Sequence, residues 1–476
     1  MTMPGDRPSA RGAEDGVAEQ ACEIAVIGGG VVGCAVLRAF ALAGFEPVLL
    51  ERGADILSGA SKANSALLHS GYDAAPDSLE LRCVRDGYAE YLAIRERLGL
   101  PLLETSAIMV AWNEDEVRRL PTIVERAHRC GVSDVRQIDR EELYRREPHL
   151  ARDALQCVVV PGEHVIDPWS TPLAYALQAL ANGASIRRNC AVTGGQQIDG
   201  VWRLETSHGL VRARTVINCA GLYGDLIEAI CRPSPFAIRP RKGQFIVFDK
   251  PAARLLTATI LAVPNERTKG VLLARTAFGN LLLGPTAEDQ DDRALATVES
   301  DILAQLLERG RRIVPELGNH TVTATFAGLR PASQHSDYQI EAVPARRWIT
   351  VGGIRSTGLT GSLGIARYVT RLYESHFGAL RMRPDPKWVR VPNLCEAELR
   401  PYQMRGAGEI VCHCEGVTRN EIAAALGGPL PARDLGGLRR RTRCMLGRCQ
   451  GFYCSGRIAE MTAGYFSPPL ATKIAS

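Results

Sequence analysis

The segment Glu23-Ile-Ala-Val-Ile-Gly-Gly-Gly-Val-Val-Gly33 decides the fold of this chain, because an apolar strand runs directly into a glycine-rich turn. An apolar helix follows the turn and extends to Ala43. In such a unit Gly28 permits the tight turn, and Gly30 lets the backbone approach a pyrophosphate. Gly33 allows the helix to pack closely on the strand, and the positive end of the helix dipole favours a bound phosphate.

A second strand, predicted from Pro47 to Leu50, ends in Glu51, eighteen residues after Gly33. An acidic side chain at that place accepts hydrogen bonds from the ribose of a dinucleotide. The strand, the glycines, the helix and the acid together form a complete dinucleotide fingerprint, whereas a glycine-rich turn alone is a weak signal. The fingerprint leaves FAD and NAD open.

Two later segments favour FAD over NAD. Residues 214–221 and 348–354 each read as a strand that ends in small residues, and a helix follows the second one. Both strands are expected to return to the nucleotide-binding sheet, and the N–H groups at the later helix start can face the electron-rich end of a flavin ring. A nicotinamide dehydrogenase needs no such returns. The predicted FAD contacts on these segments are Ala220, Gly221, Gly358, Leu359 and Thr360.

The composition is that of a globular protein. The chain has 476 residues, of which 46% are hydrophobic, and 57 basic and 52 acidic residues give a net charge of +5. This charge is too small for the chain length to support a nucleic-acid partner by electrostatics alone. Residues 1–20 are polar and are predicted to form a disordered tail without a secretory signal. Fourteen cysteines without an export signal predict a reducing, cytoplasmic location.

From Ser61 to Gly71 (Ser-Lys-Ala-Asn-Ser-Ala-Leu-Leu-His-Ser-Gly) the chain resembles the superfamily of FAD enzymes that contains D-amino-acid oxidase and glycerol-3-phosphate dehydrogenase. Motifs at 163–168, 240–245, 279–285 and 327–331 extend the resemblance to about residues 21–380. Their order is most similar to the branch of glycerol-3-phosphate dehydrogenases and oxidases, with 2-hydroxyglutarate oxidases nearby. The resemblance implies an α/β FAD-binding (Rossmann-like) domain with an interleaved mixed α+β substrate domain, inserted at about 96–150 and 232–325.

The resemblance also implies the site residues. His69 would take the proton of a substrate hydroxyl while hydride moves to the flavin, and imidazole suits this role because it titrates near neutrality. Arg330 would bind a carboxylate or phosphate in a bidentate fork, with Lys269 as a second cation. The remaining candidates are Ser65 for substrate or flavin, Arg355 and Ser356 near the last flavin loop, and Ser61 and Asn64 as FAD contacts.

Five cysteines lie after residue 400 and mark a separate C-terminal module. The close pairs Cys412-His-Cys414 and Cys449-Gln-Gly-Phe-Tyr-Cys454 supply four thiolates, which can hold a zinc ion or an iron–sulfur cluster. The pattern resembles the ferredoxin-like [2Fe-2S] domain of the bacterioferritin-associated type, which implies Cys412, Cys414, Cys449 and Cys454 as the cluster ligands. Cys444 departs from this pattern and is predicted to be a spare thiol. A zinc module that binds nucleic acid is the alternative from another class.

The predicted layout places a linker at 381–408, a small helical iron–sulfur domain at 409–462 and a tail at 463–476. Within the module, residues Thr418 to Glu421 predict a capping box at the start of a helix. Five arginines either offset the negative charge of the cluster or form a solvated or partner-docking face, namely Arg439, Arg440, Arg441, Arg443 and Arg448.

The sequence therefore predicts a FAD-dependent dehydrogenase that oxidises a small anionic hydroxylated substrate. Glycerol 3-phosphate is the first candidate and an L-2-hydroxy acid such as 2-hydroxyglutarate the second, while an amine or amino-acid oxidase is a further alternative. The cluster would relay single electrons to an acceptor protein or a quinone-linked subunit. Alternatively, the module docks other subunits without passing electrons. We expect no integral membrane segment, and attachment at the inner face of the membrane only through a partner.

Overall fold

The computed structural model describes residues 20–265 and 270–471. The predicted tail before Gln20, the substrate candidate Lys269 and the last five residues of the predicted C-terminal tail lie outside the described residues.

The helices and strands of the described residues have the following bounds. The helices are α1 (Val31–Leu42), α2 (Leu79–Leu98), α3 (Glu114–Arg129), α4 (Arg140–Arg146), α5 (Ser170–Ala181), α6 (Gly224–Cys231), α7 (Ser300–Ile313), α8 (Gly358–His376), α9 (Arg419–Leu426), α10 (Leu435–Thr442) and α11 (Ser455–Met461). The strands are β1 (Gln20–Ile27), β2 (Val48–Leu50), β3 (Leu67–Leu68), β4 (Leu102–Leu103), β5 (Ala107–Ala111), β6 (Arg136–Ile138), β7 (Gln156–Val160), β8 (His164–Ile166), β9 (Ser185–Arg187), β10 (Val192–Ile198), β11 (Val201–Thr206), β12 (Gly209–Asn218), β13 (Ile238–Phe248), β14 (Thr259–Ala262), β15 (Leu272–Arg275), β16 (Leu281–Gly284), β17 (Glu288–Asp289), β18 (Val322–Ser333), β19 (Gln339–Val343), β20 (Trp348–Gly352), β21 (Ile410–Cys412) and β22 (Val417–Thr418).

An eight-stranded sheet forms the nucleotide-binding layer. β1 lies between β2 and β12 and runs parallel to both, and β20 runs parallel to β12. The predicted return of the two late strands to this sheet is therefore confirmed. Ile24 and Val26 face a core built with α1, α2, α5 and α8, whereas Ala25 and Ile27 face the opposite side with α6. Because both faces are covered, β1 is apolar throughout its buried part.

A nine-stranded, mostly antiparallel sheet forms the second layer. Its strands come from two separate stretches, 107–160 and 238–333, and β5 pairs in parallel with β14 where the stretches meet. α3 covers one face, and α4 and α7 cover the other. The sheet extends beyond the expected inserts at both stretches, because β7 pairs with β5 and the long β18 pairs with β13 along its length.

The segment 381–408 packs along the first domain and contains one short 3₁₀ turn, Pro401–Gln403, but no α-helix or strand. Its backbone is bonded to that domain, since the N–H of Arg383 donates to the carbonyl of Leu42 and the N–H of Val391 donates to that of Leu98. Leu394 and Cys395 are buried. The predicted linker is thus an extended strap whose contacts fix its course.

The C-terminal module has its own apolar core, formed by β21, β22 and helices α9 to α11. The predicted capping box is present at the start of α9, where Thr418 and Glu421 bond reciprocally to each other's backbone N–H. Within the described ranges, every helix is too short or too polar to cross a membrane.

Candidate active site and cysteine module

A cavity of about 810 Å³ lies between the two large sheets, and residues of both line it. The glycine-rich turn forms one end. Gly28 has a φ of +105°, and a Cβ there would lie 2.6 Å from the carbonyl oxygen of Cys219. A Cβ at Gly33 would lie 1.9 Å from the carbonyl oxygen of Gly28. Neither position admits a side chain, which agrees with the predicted tight turn and close helix packing, and Gly30 lines the cavity.

Glu51 lines the same end of the cavity, directly after β2. Its Oε2 accepts a hydrogen bond from the N–H of Gly29 and its Oε1 from the N–H of Gly53, each at 2.6 Å. These two bonds hold the carboxylate against the turn. Since a carboxylate has about four acceptor positions, it can still receive the hydroxyls of a ribose.

Ser61 and Asn64 line the cavity beside the start of α1. The Ser61 Oγ accepts from the N–H of Val31 at 3.0 Å, and the Asn64 Oδ1 accepts from the N–H of Ala66 at 2.8 Å. The first bond ties this segment to the phosphate-binding turn, and the second shapes the loop that leads to β3. Their contact with FAD remains a prediction.

The cavity wall also contains four of the five residues predicted on the late segments, namely Ala220, Gly221, Gly358 and Leu359. Thr360 is the exception, because it is buried behind the cavity wall. Its Oγ1 accepts from the N–H of His69 at 2.9 Å and donates to the carbonyl of Leu67 at 3.2 Å. The hydroxyl of Thr360 therefore positions the backbone of His69, and a contact of Thr360 with FAD remains a prediction.

His69 lines the cavity and its ring is held by Glu163. The Nδ1 of His69 lies 2.9 Å from the Oε2 of Glu163, while the Oε1 of Glu163 accepts from the N–H and the Oγ of Ser70. The antiparallel pairing of β3 with β8 creates this contact. An ionised carboxylate only accepts hydrogen bonds, so Nδ1 carries the proton and the basic lone pair of the neutral ring is on Nε2.

Arg330 lines the cavity from β18. Its Nη2 donates to the carbonyl of Thr286 at 3.1 Å, and no carboxylate of the described residues forms an ion pair with it. Burial lowers the pKa of Arg330 to about 10, assisted by the neighbouring cation Arg241. The guanidinium therefore stays charged at neutral pH. Arg241, in contrast, is paired with Asp289.

The structure also places Ser65, Arg355 and Ser356 in the cavity wall, and their contacts with substrate or flavin remain predictions. Sequence reasoning missed the role of Glu163, although the residue opens one of the motifs that carry the family resemblance. It also missed Arg126, which enters the cavity wall from α3. No local pattern around Arg126 could have indicated this position.

The four predicted cluster ligands meet in the C-terminal module as two contacting pairs, Cys412 with Cys454 and Cys414 with Cys449. Backbone N–H groups of Tyr453, Gly451 and Phe452 donate to the sulfur of Cys449 and lower the pKa of its thiol. Two pairs of thiols with backbone donors are a donor set suited to a [2Fe-2S] cluster. Nowhere in residues 20–265 and 270–471 do three histidine, cysteine or carboxylate side chains meet as a site for a single metal ion.

Cys444 is buried close to Cys412 and Cys454, and burial raises the pKa of its thiol to about 11. Its role as a spare thiol remains a prediction.

The arginines of the module attach it to the rest of the chain. Arg441 binds Asp55 through two hydrogen bonds of 2.6 and 2.9 Å, and both side chains are buried. Arg440 donates to the carbonyl of Ile56, and Arg448 pairs with Asp249 at 2.7 Å. These residues were expected to balance cluster charge or to face solvent or a partner. Arg440, Arg441 and Arg448 thus dock the module on the rest of the chain, whereas Arg443 pairs with Glu415 inside the module.

Known proteins share both parts of this architecture. Residues 23–372 match the family described as FAD dependent oxidoreductase (DAO), and residues 410–463 match the BFD-like [2Fe-2S] binding domain. The glycerol 3-phosphate dehydrogenase of Caloramator mitchellensis is 32% identical over 451 residues, which are 93% of this chain and 94% of the relative. One subunit of the anaerobic glycerol-3-phosphate dehydrogenase of Escherichia coli K12 is 26% identical, over 93% of this chain and 88% of its own.

Among solved structures, the dithionite-reduced L-alpha-glycerophosphate oxidase from Mycoplasma pneumoniae with FAD bound has a TM-score of 0.74. It is 27% identical, and the match covers 79% of this chain and all of that one. The glycine turn, Glu51 and the cavity fit the same cofactor. The chain belongs to the FAD dependent oxidoreductase family, as an enzyme that acts on CH–OH donors with FAD and carries a [2Fe-2S] cluster in its C-terminal domain.

Proposed function

We propose that the enzyme oxidises the secondary hydroxyl of glycerol 3-phosphate to give dihydroxyacetone phosphate. The observation that carries this proposal is that a carboxylate-held histidine and a cation without a carboxylate partner among the described residues, Arg330, line one cavity. A base and a cation suit a substrate with a hydroxyl and an anionic group. The relatives that span nearly the whole chain are named for the same substrate.

Bound FAD supplies the hydride acceptor. His69 takes the proton of the substrate hydroxyl at Nε2, because Glu163 keeps the proton of the ring on Nδ1. The buried carboxylate of Glu163 also stabilises the imidazolium that forms. Arg330 binds the anionic end through parallel N–H groups, and this grip orients the hydroxyl towards the base.

An L-2-hydroxy acid such as 2-hydroxyglutarate is the second candidate, because a guanidinium fork binds a carboxylate as readily as a phosphate. Anaerobic visible spectra of the purified protein separate the two. Glycerol 3-phosphate should bleach the flavin absorption, whereas L-2-hydroxyglutarate should leave it unchanged. Bleaching by the hydroxy acid alone would replace the proposed substrate, and ammonia release on bleaching by an amino acid would indicate an amine or amino-acid oxidase.

We further propose that the module passes electrons to an acceptor protein, with the bound [2Fe-2S] cluster as the one-electron carrier. Cys412 and Cys454 are buried, whereas Cys414 and Cys449 are half-buried, so one edge of the ligand set faces outwards. Phe452 and Tyr453 lie on that edge and are 79% and 80% exposed. Exposed aromatic rings of this kind are typical of protein interfaces, where each buries about 150–250 Å².

The same anaerobic titration tests this relay. Substrate should change the cluster absorption as well as the flavin absorption, with the cluster change following the flavin change. If the flavin is bleached and the cluster absorption stays that of the oxidised protein, the module serves as a docking element without electron transfer.

A further inference from the structure

Arg126 is a cation in the cavity wall to which the proposed mechanism assigns no role. It lies in the last turn of α3, the helix that covers the cavity side of the second sheet. Its Nε is buried and has no hydrogen-bond partner in the described part of the chain. A buried, unpaired guanidinium nitrogen is costly, so a native position of this kind calls for a ligand or a structural reason.

The surroundings of Arg126 connect it to the catalytic histidine. Tyr72, three residues after His69, lines the same cavity. Burial raises the pKa of Tyr72 well above the ordinary value, Asp73 and Glu163 act in the same direction, and Arg126 opposes them. Arg126 and Glu163 therefore both influence the pKa of Tyr72. Glu163 is the carboxylate that is bonded to His69. Met109, on the strand beneath α3, lines the cavity beside this group.

The other arginines of the described residues that line the cavity make different contacts. Arg241 is paired with Asp289, and Arg355 donates to the carbonyl of Ser336 at 2.9 Å. Arg52 stacks on the ring of Tyr223 with its guanidinium carbon 3.8 Å from the ring centre, next to the ribose end at Glu51. Arg126 and Arg330 therefore stand out as cations that face the substrate half of the cavity from two different elements, α3 and β18.

We propose that Arg126 is a second anion-binding residue, which together with Arg330 selects a phosphate monoester over a monocarboxylate. This inference rests on the proposed function. A phosphate monoester carries about 1.5 to 2 negative charges at pH 7 and has three acceptor oxygens. One guanidinium fork occupies two oxygens and offsets one charge. A second cation from α3 binds the third oxygen and offsets the remaining charge, whereas a monocarboxylate carries a single charge that Arg330 alone offsets.

The experiment measures binding without turnover. Dihydroxyacetone phosphate is titrated into the oxidised holoenzyme, with the change of the flavin absorption as the signal, and uncharged dihydroxyacetone serves as the reference ligand. The variants are Arg126→Gln and Arg126→Lys, with Arg129→Gln as the matched control, since Arg129 lies on the same helix turn but is exposed outside the cavity. The FAD content and the melting temperature of each variant are recorded.

Arg126→Gln should weaken binding of dihydroxyacetone phosphate by about 10- to 100-fold, as expected for the loss of one charge-assisted contact. Binding of dihydroxyacetone and the behaviour of Arg129→Gln should be unchanged. In turnover, KM for glycerol 3-phosphate should rise by the same factor with little change of kcat. Arg126→Lys, which keeps the charge but loses the fork, should lie between wild type and Arg126→Gln.

Wild-type affinity for the phosphate in Arg126→Gln, or an equal loss for both ligands, overturns the inference. If Arg126→Gln loses FAD, the Arg126→Lys variant decides instead. Wild-type affinity of Arg126→Lys for dihydroxyacetone phosphate then overturns the inference. A wild-type enzyme that neither binds dihydroxyacetone phosphate nor oxidises glycerol 3-phosphate instead refutes the proposed function, so the two failures are distinguishable.

Discussion

The Nδ1 of His69 and the Oε2 of Glu163 lie 2.9 Å apart although the residues are 94 positions apart in the chain. The second oxygen of Glu163 receives both the N–H and the hydroxyl of Ser70. One buried carboxylate therefore fixes the imidazole ring and the backbone beside it. This arrangement sets the tautomer of the ring before substrate arrives.

Replacement of His69 by alanine should leave FAD bound and slow the reduction of the flavin by substrate. The loss of a general base lowers the rate by about 100-fold or more. Anaerobic stopped-flow absorbance at saturating glycerol 3-phosphate measures this rate directly, and the FAD content provides the control. A reduction rate equal to that of the wild type would remove His69 from the chemical step.

Replacement of Glu163 by glutamine should lower kcat by about 100-fold or more while KM changes little. The two donors of Ser70 hold the amide oxygen, so the amide NH₂ group turns towards Nδ1 of His69. Nδ1 must then accept, the ring proton moves to Nε2, and the base is lost although the shape is kept. Steady-state kinetics on variants with full FAD content test this expectation. A rise of KM at unchanged kcat would instead assign Glu163 to substrate binding.

Replacement of Cys449 by serine should remove the cluster absorption and leave substrate-dependent bleaching of the flavin intact. Reduction of an added one-electron acceptor protein should fall sharply, because the onward path then lacks its carrier. Cys444→Ser is the matched control, and it should keep the cluster if Cys444 is a spare thiol. Equal loss of flavin bleaching and acceptor reduction in Cys449→Ser would contradict the relay.

Replacement of Asp55 by asparagine should loosen the C-terminal module. Arg441 would be left buried without its carboxylate, and breaking a buried ion pair from one side costs about 3–5 kcal/mol. Denaturant unfolding and limited proteolysis around residues 403–406 measure the effect. Glu460→Gln breaks an exposed pair with Arg457 in the same module and should leave both readouts unchanged. Proteolysis of Asp55→Asn at the wild-type rate would show that other contacts hold the module.

The features that were predictable from the sequence depend on short-range relationships. Gly28 and Gly33 act on a turn and a helix within a few residues, and the capping box of Thr418 and Glu421 spans three positions. Periodicity and glycine spacing report such contacts directly. The resemblance to known FAD enzymes added His69 and Arg330, which local patterns alone could not separate from ordinary core and surface residues.

The relationships that were not predictable join distant parts of the chain. Thr360 bonds to a backbone N–H 291 residues away, and Arg441 finds Asp55 across 386 positions. The arginines of the module were expected to offset the cluster charge or to form a solvated or partner-docking face. A sequence shows which residues are charged but not the direction in which their side chains point. The packing of α10 on the loop after β2 turns Arg440 and Arg441 towards that loop, whereas Arg448, beyond α10, pairs with Asp249.

The strap at 381–408 lies along the first domain, and side chains of the module also bind that domain directly, Arg441 to Asp55 and Arg448 to Asp249. The covalent connection is therefore not the only link between the two parts. The gene could be split within the exposed stretch 403–406, and the two polypeptides should reassemble into one complex. The interface between the module and the first domain thus has the character of a contact between two separate proteins, built from ion pairs and hydrogen bonds of side chains.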